Sequence, residues 1–189
     1  MTTAKITNIY QTIYQTQKDS LSSLKSDDLS ENLIRISQII YKYKNAQRNQ
    51  KVYQFLRKIK NLKIEERVNT FHINLDQLEK SVKRRMNDAK NNKSNQNQMN
   101  CNNLIESDEL KNIIYSLLIT SADLASALKI LIDLCQTCYS YSKKKITAHS
   151  EFVNYHLLVM SITGGIHKVA KQWESEVQKF IKCGKTLEC

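Results

Sequence analysis

Apolar positions along the 189-residue chain fall into stretches with the three- and four-residue spacing of helix faces, separated by short polar breaks. Ile6, Ile9, Tyr10, Ile13 and Tyr14, followed by Leu21 and Leu24, predict a first amphipathic helix over residues 4–24. Lys25-Ser26-Asp27-Asp28 interrupts it, and its Ser and Asp side chains suit the cap of a following helix that begins near Leu29. Leu33, Ile36, Ile40 and Tyr43 then form one stripe, while Val52, Phe55, Leu56 and Ile59 form another. The stripe centres differ by roughly 150° at the helical angle per residue, so one straight helix does not turn both to the same core. The change of phase falls at Asn45-Ala46-Gln47-Arg48-Asn49-Gln50. Either a short loop reorients the chain there, or a continuous helix packs on opposite sides before and after. The polar cluster favours the loop.

Glu65-Glu66-Arg67 then leads through Val68, Phe71 and Ile73 to Leu75, Leu78, Val82 and Met86, a further helix with Asn74 suited to its N-cap, which completes a basic helical segment over 29–90. Residues 91–105 are rich in asparagine and have little to bury, so a flexible loop is expected there. Residues 106–182 hold the most apolar patterns and predict a helical hairpin. Its first helix opens at Ser107-Asp108-Glu109 and runs from Leu110 through Leu117, Leu124 and Leu131 to Tyr139, with a break allowed at Thr120-Ser121. Its second, after Lys143-Lys144-Lys145, buries Phe152, Tyr155, Val159, Ile162, Ile166, Val169, Trp173, Val177 and Phe180. Gly164-Gly165 lies inside that helix and implies close approach of another backbone, or a bend. The chain has no proline and only three glycines, which reinforces the pattern. The expected fold is all-α: a single domain over 1–189, an antiparallel helical bundle with a long central hairpin and a basic loop-helix element.

Charge adds a functional direction. Lys and Arg total 29 against 18 Asp and Glu, a formal net charge of +11, which points to a polyanionic partner or, more plainly, to a well-hydrated surface. The cations concentrate between Tyr41 and Lys58: Lys42, Lys44, Arg48, Lys51, Arg57 and Lys58 occur there with no acidic residue among them. Tyr41, Tyr43, Tyr53 and Phe55 are interspersed, the mixture that suits contact with RNA. In that reading Lys42, Lys44, Arg48, Lys51 and Lys58 meet phosphates, Asn45 and Gln47 hydrogen-bond backbone or base edges, and Tyr53 stacks or braces the loop. Lys80, Lys83, Arg84 and Arg85 form a second, weaker cluster, from which Arg84 and Arg85 join the candidate RNA-binding residues.

Other chemistry finds little support. The apolar run from Ile113 to Leu134 contains Asp123, Lys129 and Asp133, which argues against a membrane helix, and Met1–Lys5 leads straight into an amphipathic pattern without a signal segment. Five scattered cysteines suggest free thiols in a reducing compartment. Cys135-Gln136-Thr137-Cys138 lies well inside a helical pattern and lacks a second pair of zinc ligands, so core cysteines are expected and no metal. His72, His149, His156 and His167 are well separated; His156 reads as a hydrogen-bonded interfacial residue, and Trp173 as core. Phosphate-loop, dinucleotide and serine-hydrolase motifs are missing, so neither catalysis, a cofactor nor a small-molecule substrate is expected.

The run Ile39-Ile40-Tyr41-Lys42-Tyr43-Lys44-Asn45-Ala46-Gln47-Arg48, followed by Lys51, Tyr53, Leu56, Lys58 and Leu62, resembles the segment shared by the RNase MRP-specific protein subunit and the nucleolus and neural progenitor protein. A softer similarity covers Glu151-Phe152-Val153, Leu157–Ile162 and His167-Lys168-Val169, which look like that family's closing helix. The chain lacks the long lysine-rich tail of some members, and its Asn-rich stretch resembles an insertion. The resemblance implies a non-catalytic, RNA-binding subunit of the RNase MRP ribonucleoprotein in the nucleolus of the nucleus, supporting precursor ribosomal RNA processing. Its implied partners are the structured non-coding RNase MRP RNA and other RNase P/MRP protein subunits. The rival expectation is a helical protein-interaction scaffold of another nuclear complex without direct RNA contact.

Overall fold

The computed structural model describes residues 27–91, 100–148 and 152–185. The helix expected over residues 4–24 lies outside them. Among the described residues the fold is all-α: five long helices and one single turn, with no strand. We label them α1 (Asp27–Lys42), α2 (Lys44–Gln47, the single turn), α3 (Lys51–Asn61), α4 (Ile64–Asn91), α5 (Asn100–Ala148) and α6 (Val153–Lys185).

The α5–α6 hairpin is the centre of the bundle. Leu117, Leu124, Leu128, Leu131, Cys135 and Cys138 on α5 face Tyr155, Val159, Ile162, Ile166, Ala170 and Val177 on α6, all of them buried. Each fully buried aliphatic side chain contributes about 1.5–3 kcal/mol relative to exposure, so this seam dominates the stability of the fold. Trp173 is also interior, whereas Phe152, expected on the buried face, is 51% exposed, because it makes a left-handed turn (φ 58°) just ahead of α6. At 1.5 Å per residue α5 is roughly 73 Å long, enough to carry separate neighbours at its two ends.

Those neighbours are α4 towards one end and α3 towards the other. Arg67 pairs with Asp123, and the Asn74 amide donates to the Thr120 hydroxyl at 3.2 Å. As α4 rises from 67 to 74 its contacts on α5 fall from 123 to 120, so the two helices run antiparallel. Phe71 meets Phe180 edge to face, with ring centroids 5.9 Å apart, and fastens α4 to the far end of α6 as well. Helix α1 lies antiparallel on α6, with Asn32 beside Gly165 at one end and Tyr43 beside Tyr155 at the other.

Several sequence expectations need correction. Asn74 is no N-cap but a mid-helix residue bonded across to α5, because α4 already starts at Ile64. Lys63, at φ 51°, makes the left-handed turn that precedes it. Thr120 and Ser121 do not break α5: their hydroxyls donate back to the carbonyls of Ser116, Leu117 and Leu118, which satisfies them within a continuous helix. Of the expected 91–105 loop, Asn91 belongs to α4 and residues 100–105 to α5, and residues 92–99 lie outside the described residues. Asparagine is a poor helix former, but extending an existing helix costs far less than starting one. Gly165 fits close packing, because a Cβ there would come 3.2 Å from Asn32 Nδ2; one at Gly164 would meet open space.

Candidate nucleic-acid interface

The basic stretch forms an elbow. Helix α1 buries Leu29, Ile36 and Ile39, whereas α3 buries Val52, Tyr53, Leu56 and Ile59, and the difference in phase is absorbed between Tyr43 and Gln50. Tyr43 (φ −102°, ψ 12°) leaves the helical path, α2 completes one turn, and Gln50 (φ −78°, ψ 140°) is extended before α3 begins. Four backbone bonds span the corner: the Tyr43 amide donates to Ile39 O, Gln47 to Tyr43 O, Gln50 to Gln47 O and Gln54 to Gln50 O.

The candidate side chains separate into two sets. Lys42, Lys44, Asn45, Arg48, Lys51 and Lys58 are exposed. Gln47 and Tyr53 are not: they are only 3% and 4% exposed, so neither is presented to bases. Their side chains point into the fold because α3 must turn Val52, Tyr53 and Leu56 inward, and α2 tucks Gln47 beneath the corner. For Tyr53 the bracing role remains. Tyr41, at 85% exposure, is the open ring of this stretch.

Beneath the cations lies an aromatic floor shared with the closed end of the hairpin. Tyr43 and Tyr155 have ring centroids 4.8 Å apart, Phe55 meets Tyr141 edge-on at 6.4 Å, and Tyr155 adjoins the His156 ring at 5.2 Å. Lys42 Nζ sits 5.6 Å from the centre of the Tyr43 ring, and Lys145 Nζ 5.9 Å from that of Tyr141. Both fall within cation–π range. Tyr141, Lys145, Tyr155 and His156 are not marked for this site by the basic stretch itself. The spacing Cys138, Tyr141, Ser142, Lys145 on α5 carries the signal, since it lines polar groups along the inward edge of one helix.

Among the described residues no negative charge accumulates behind this surface. Burial pushes the Tyr155 hydroxyl well above the usual range, with Cys138, Tyr43 and Tyr53 adding to it, so it stays protonated. Burial, and then the Lys145 charge, lowers the His156 pKa and keeps the ring neutral near pH 7. The expected hydrogen bond of His156 is not seen at Nδ1: that atom, Tyr155 Oη and Ser142 Oγ are buried without a partner among the described residues. Along the chain no Asp or Glu occurs between Glu31 and Glu65, between Asp133 and Glu151, or between Glu151 and Glu174. These are the segments that meet at the elbow.

The second basic cluster sits elsewhere. Arg84 is exposed on α4, and the Arg85 side chain lies outside the described residues. Phe55 is level with Tyr141 on α5, whereas Asn74 is level with Thr120 and Arg84 lies farther along, which places Arg84 roughly 45 Å from the elbow at 1.5 Å per residue. Lys83 there is paired with Glu79 at 2.6 Å.

The Cys135–Cys138 pair is buried in the hairpin, and burial raises both thiols to about 12, with Cys138 adding to the effect on Cys135. Thiols that remain protonated are poor nucleophiles and poor metal ligands. Among the described residues no group of three or more His, Cys, Asp or Glu is placed to hold a metal ion, and no helix is long and apolar enough to cross a membrane.

Residues 1–182 match the family model described as "Nucleolus and neural progenitor protein, N-terminal". No curated protein and no solved structure matches the chain at a significant level.

Proposed function

From the premise that the chain belongs to the nucleolus and neural progenitor protein family, we propose that it is a non-catalytic RNA-binding subunit of a nucleolar ribonucleoprotein. The complex is RNase MRP, and the chain supports its processing of precursor ribosomal RNA by holding a structured RNA beside other protein subunits of the RNase P/MRP set. One observation carries this reading. At the elbow Lys42, Lys44, Arg48, Lys51 and Lys58 stand over packed aromatic rings that stay neutral, with no ion-pair partner among the described residues. Such a surface attracts a phosphate backbone by displacing its counterions, and needs no reacting group.

Sequencing the RNA that copurifies with the tagged protein tests the identity of the particle: RNase MRP RNA should be enriched, and its absence would refute that assignment. A salt series with purified protein tests the contact itself. Affinity should fall steeply with salt, and Arg48→Gln with Lys51→Gln should flatten the dependence.

A second reading has its own observation. Ile73 on α4 and Tyr115, Ile119 and Ile130 on α5 are all about half exposed or more, which leaves apolar surface on the α4–α5 flank. A helical scaffold that joins its complex through this flank, without touching RNA, would show binding indifferent to both the salt series and the elbow substitutions.

A further inference from the structure

The elbow does not end at α3. Phe55 and Tyr141 form a seam between α3 and α5, and basic residues stand on both sides of it. On α3, Lys51 and Lys58 lie one turn either side of Phe55, on its solvent edge. On α5, Lys144 and Lys145 lie one turn beyond Tyr141; Lys144 is exposed, and Lys145 is half-buried over the Tyr141 ring. Packed helices stand about 8–10 Å apart, so the two sets of cations face the same few nucleotides' worth of space. Of the aromatic rings near this surface, Tyr53 and Tyr155 are buried and Tyr43 and Tyr141 are occupied by packing and by lysine, which leaves Tyr41 and Phe152 as the exposed ones among the described residues.

We infer that Lys144 and Lys145 form the second limb of the RNA-binding surface, and that the RNA it takes is base-paired and held by its phosphates. This rests on the proposed RNA-binding function and specifies which RNA and which residues. Single strands are gripped chiefly by stacking their bases on several exposed rings, a device that this surface offers, among the described residues, at Tyr41 and at Phe152 on the hairpin end. Duplex RNA hides its bases and presents phosphates and 2′-hydroxyls, which cations spread over two helices can reach without any stacking.

The experiment uses the full chain, a perfectly paired RNA hairpin and an oligouridylate of equal length, each titrated over a salt series. The hairpin should bind at least tenfold more tightly at matched salt. Lys144→Gln with Lys145→Gln should lower the salt slope for the hairpin by between one and two, at about 0.9 for each phosphate no longer neutralised. The charge-matched pair Lys168→Gln with Lys171→Gln, exposed farther along α6, should change the slope by much less. Circular dichroism confirms that both variants stay helical. If the two pairs behave alike, the second limb is refuted while the elbow stands. If oligouridylate binds as well as the hairpin, or if Tyr41→Ala with Phe152→Ala abolishes binding, the base-paired assignment is refuted. If neither RNA binds, or the Arg48 and Lys51 substitutions leave the slope unchanged, the underlying RNA-binding reading itself fails.

Discussion

The elbow and helix α4 are both rich in lysine and arginine, yet their charges have different surroundings. On α4, Lys83 meets Glu79 one turn away, and nearer its start Arg67 meets Asp123 across the helix pair. At the elbow no carboxylate among the described residues reaches Lys42, Lys44, Arg48 or Lys51, and the groups packed underneath stay neutral. The lesson is that a count of basic residues does not locate a polyanion site. A cation whose field is already answered by a neighbour contributes to solubility and local helix stability, whereas an unanswered one is available to a partner.

The severest way to break this comparison is to remove the floor. Tyr53→Ala should cost about 3 kcal/mol or more of unfolding free energy, as aromatic truncations in a core do, and chemical denaturation reads it. Tyr53→Phe should leave RNA affinity within about twofold of wild type, since the ring braces and does not stack; a large loss of binding with intact stability would restore the stacking role. Next comes the charge itself. Lys44→Gln, Arg48→Gln and Lys51→Gln together should weaken RNA binding roughly a hundredfold near 0.15 M salt, as three phosphates go unneutralised. The matching removal of Lys83 and Arg84 should cost only a few-fold; equal losses would erase the distinction between the two basic regions.

Acid tests the neutral floor by a different route. The lowered pKa of His156 means that the unfolded chain takes up its proton first as pH falls. Stability should therefore be fully present above about 6.5 and decline as pH drops below that value towards the folded pKa. His156→Leu should flatten this decline in denaturation curves recorded between pH 7 and pH 5; an unchanged decline would show that other groups carry it. The smallest effect is expected on α4, where Lys83→Gln removes the i,i+4 pair of an exposed lysine with the half-buried Glu79 and should cost no more than about 0.5 kcal/mol, measured by thermal or chemical unfolding.

Much of this architecture is legible along the chain. The stripes of Ile36, Val52, Leu56, Ile59, Leu124, Leu128, Leu131, Val159, Ile162 and Val177 give the helices and their inward faces, because a 3.6-residue period maps directly onto a buried side. The jump in phase between Tyr43 and Gln50 locates the corner for the same reason. Errors arise where the pattern is silent about neighbours. Asn74 has the chemistry of a cap, but it finds Thr120 on another helix instead. Thr120 and Ser121 have the chemistry of a break, but their hydroxyls return to their own helix.

The linear order of residues thus determined the helical fold, the apolar hairpin and the position of the cationic corner, since each depends on period and composition within a single segment. Only the packing decided which of the corner's side chains face outward, why Gln47 and Tyr53 are enclosed, and that Tyr141, with Lys145 over its ring, comes from a distant segment to meet Phe55. Those outcomes depend on where one helix crosses another. Such a crossing is fixed by the fit of side chains from several segments at once, and no single stretch of sequence contains it.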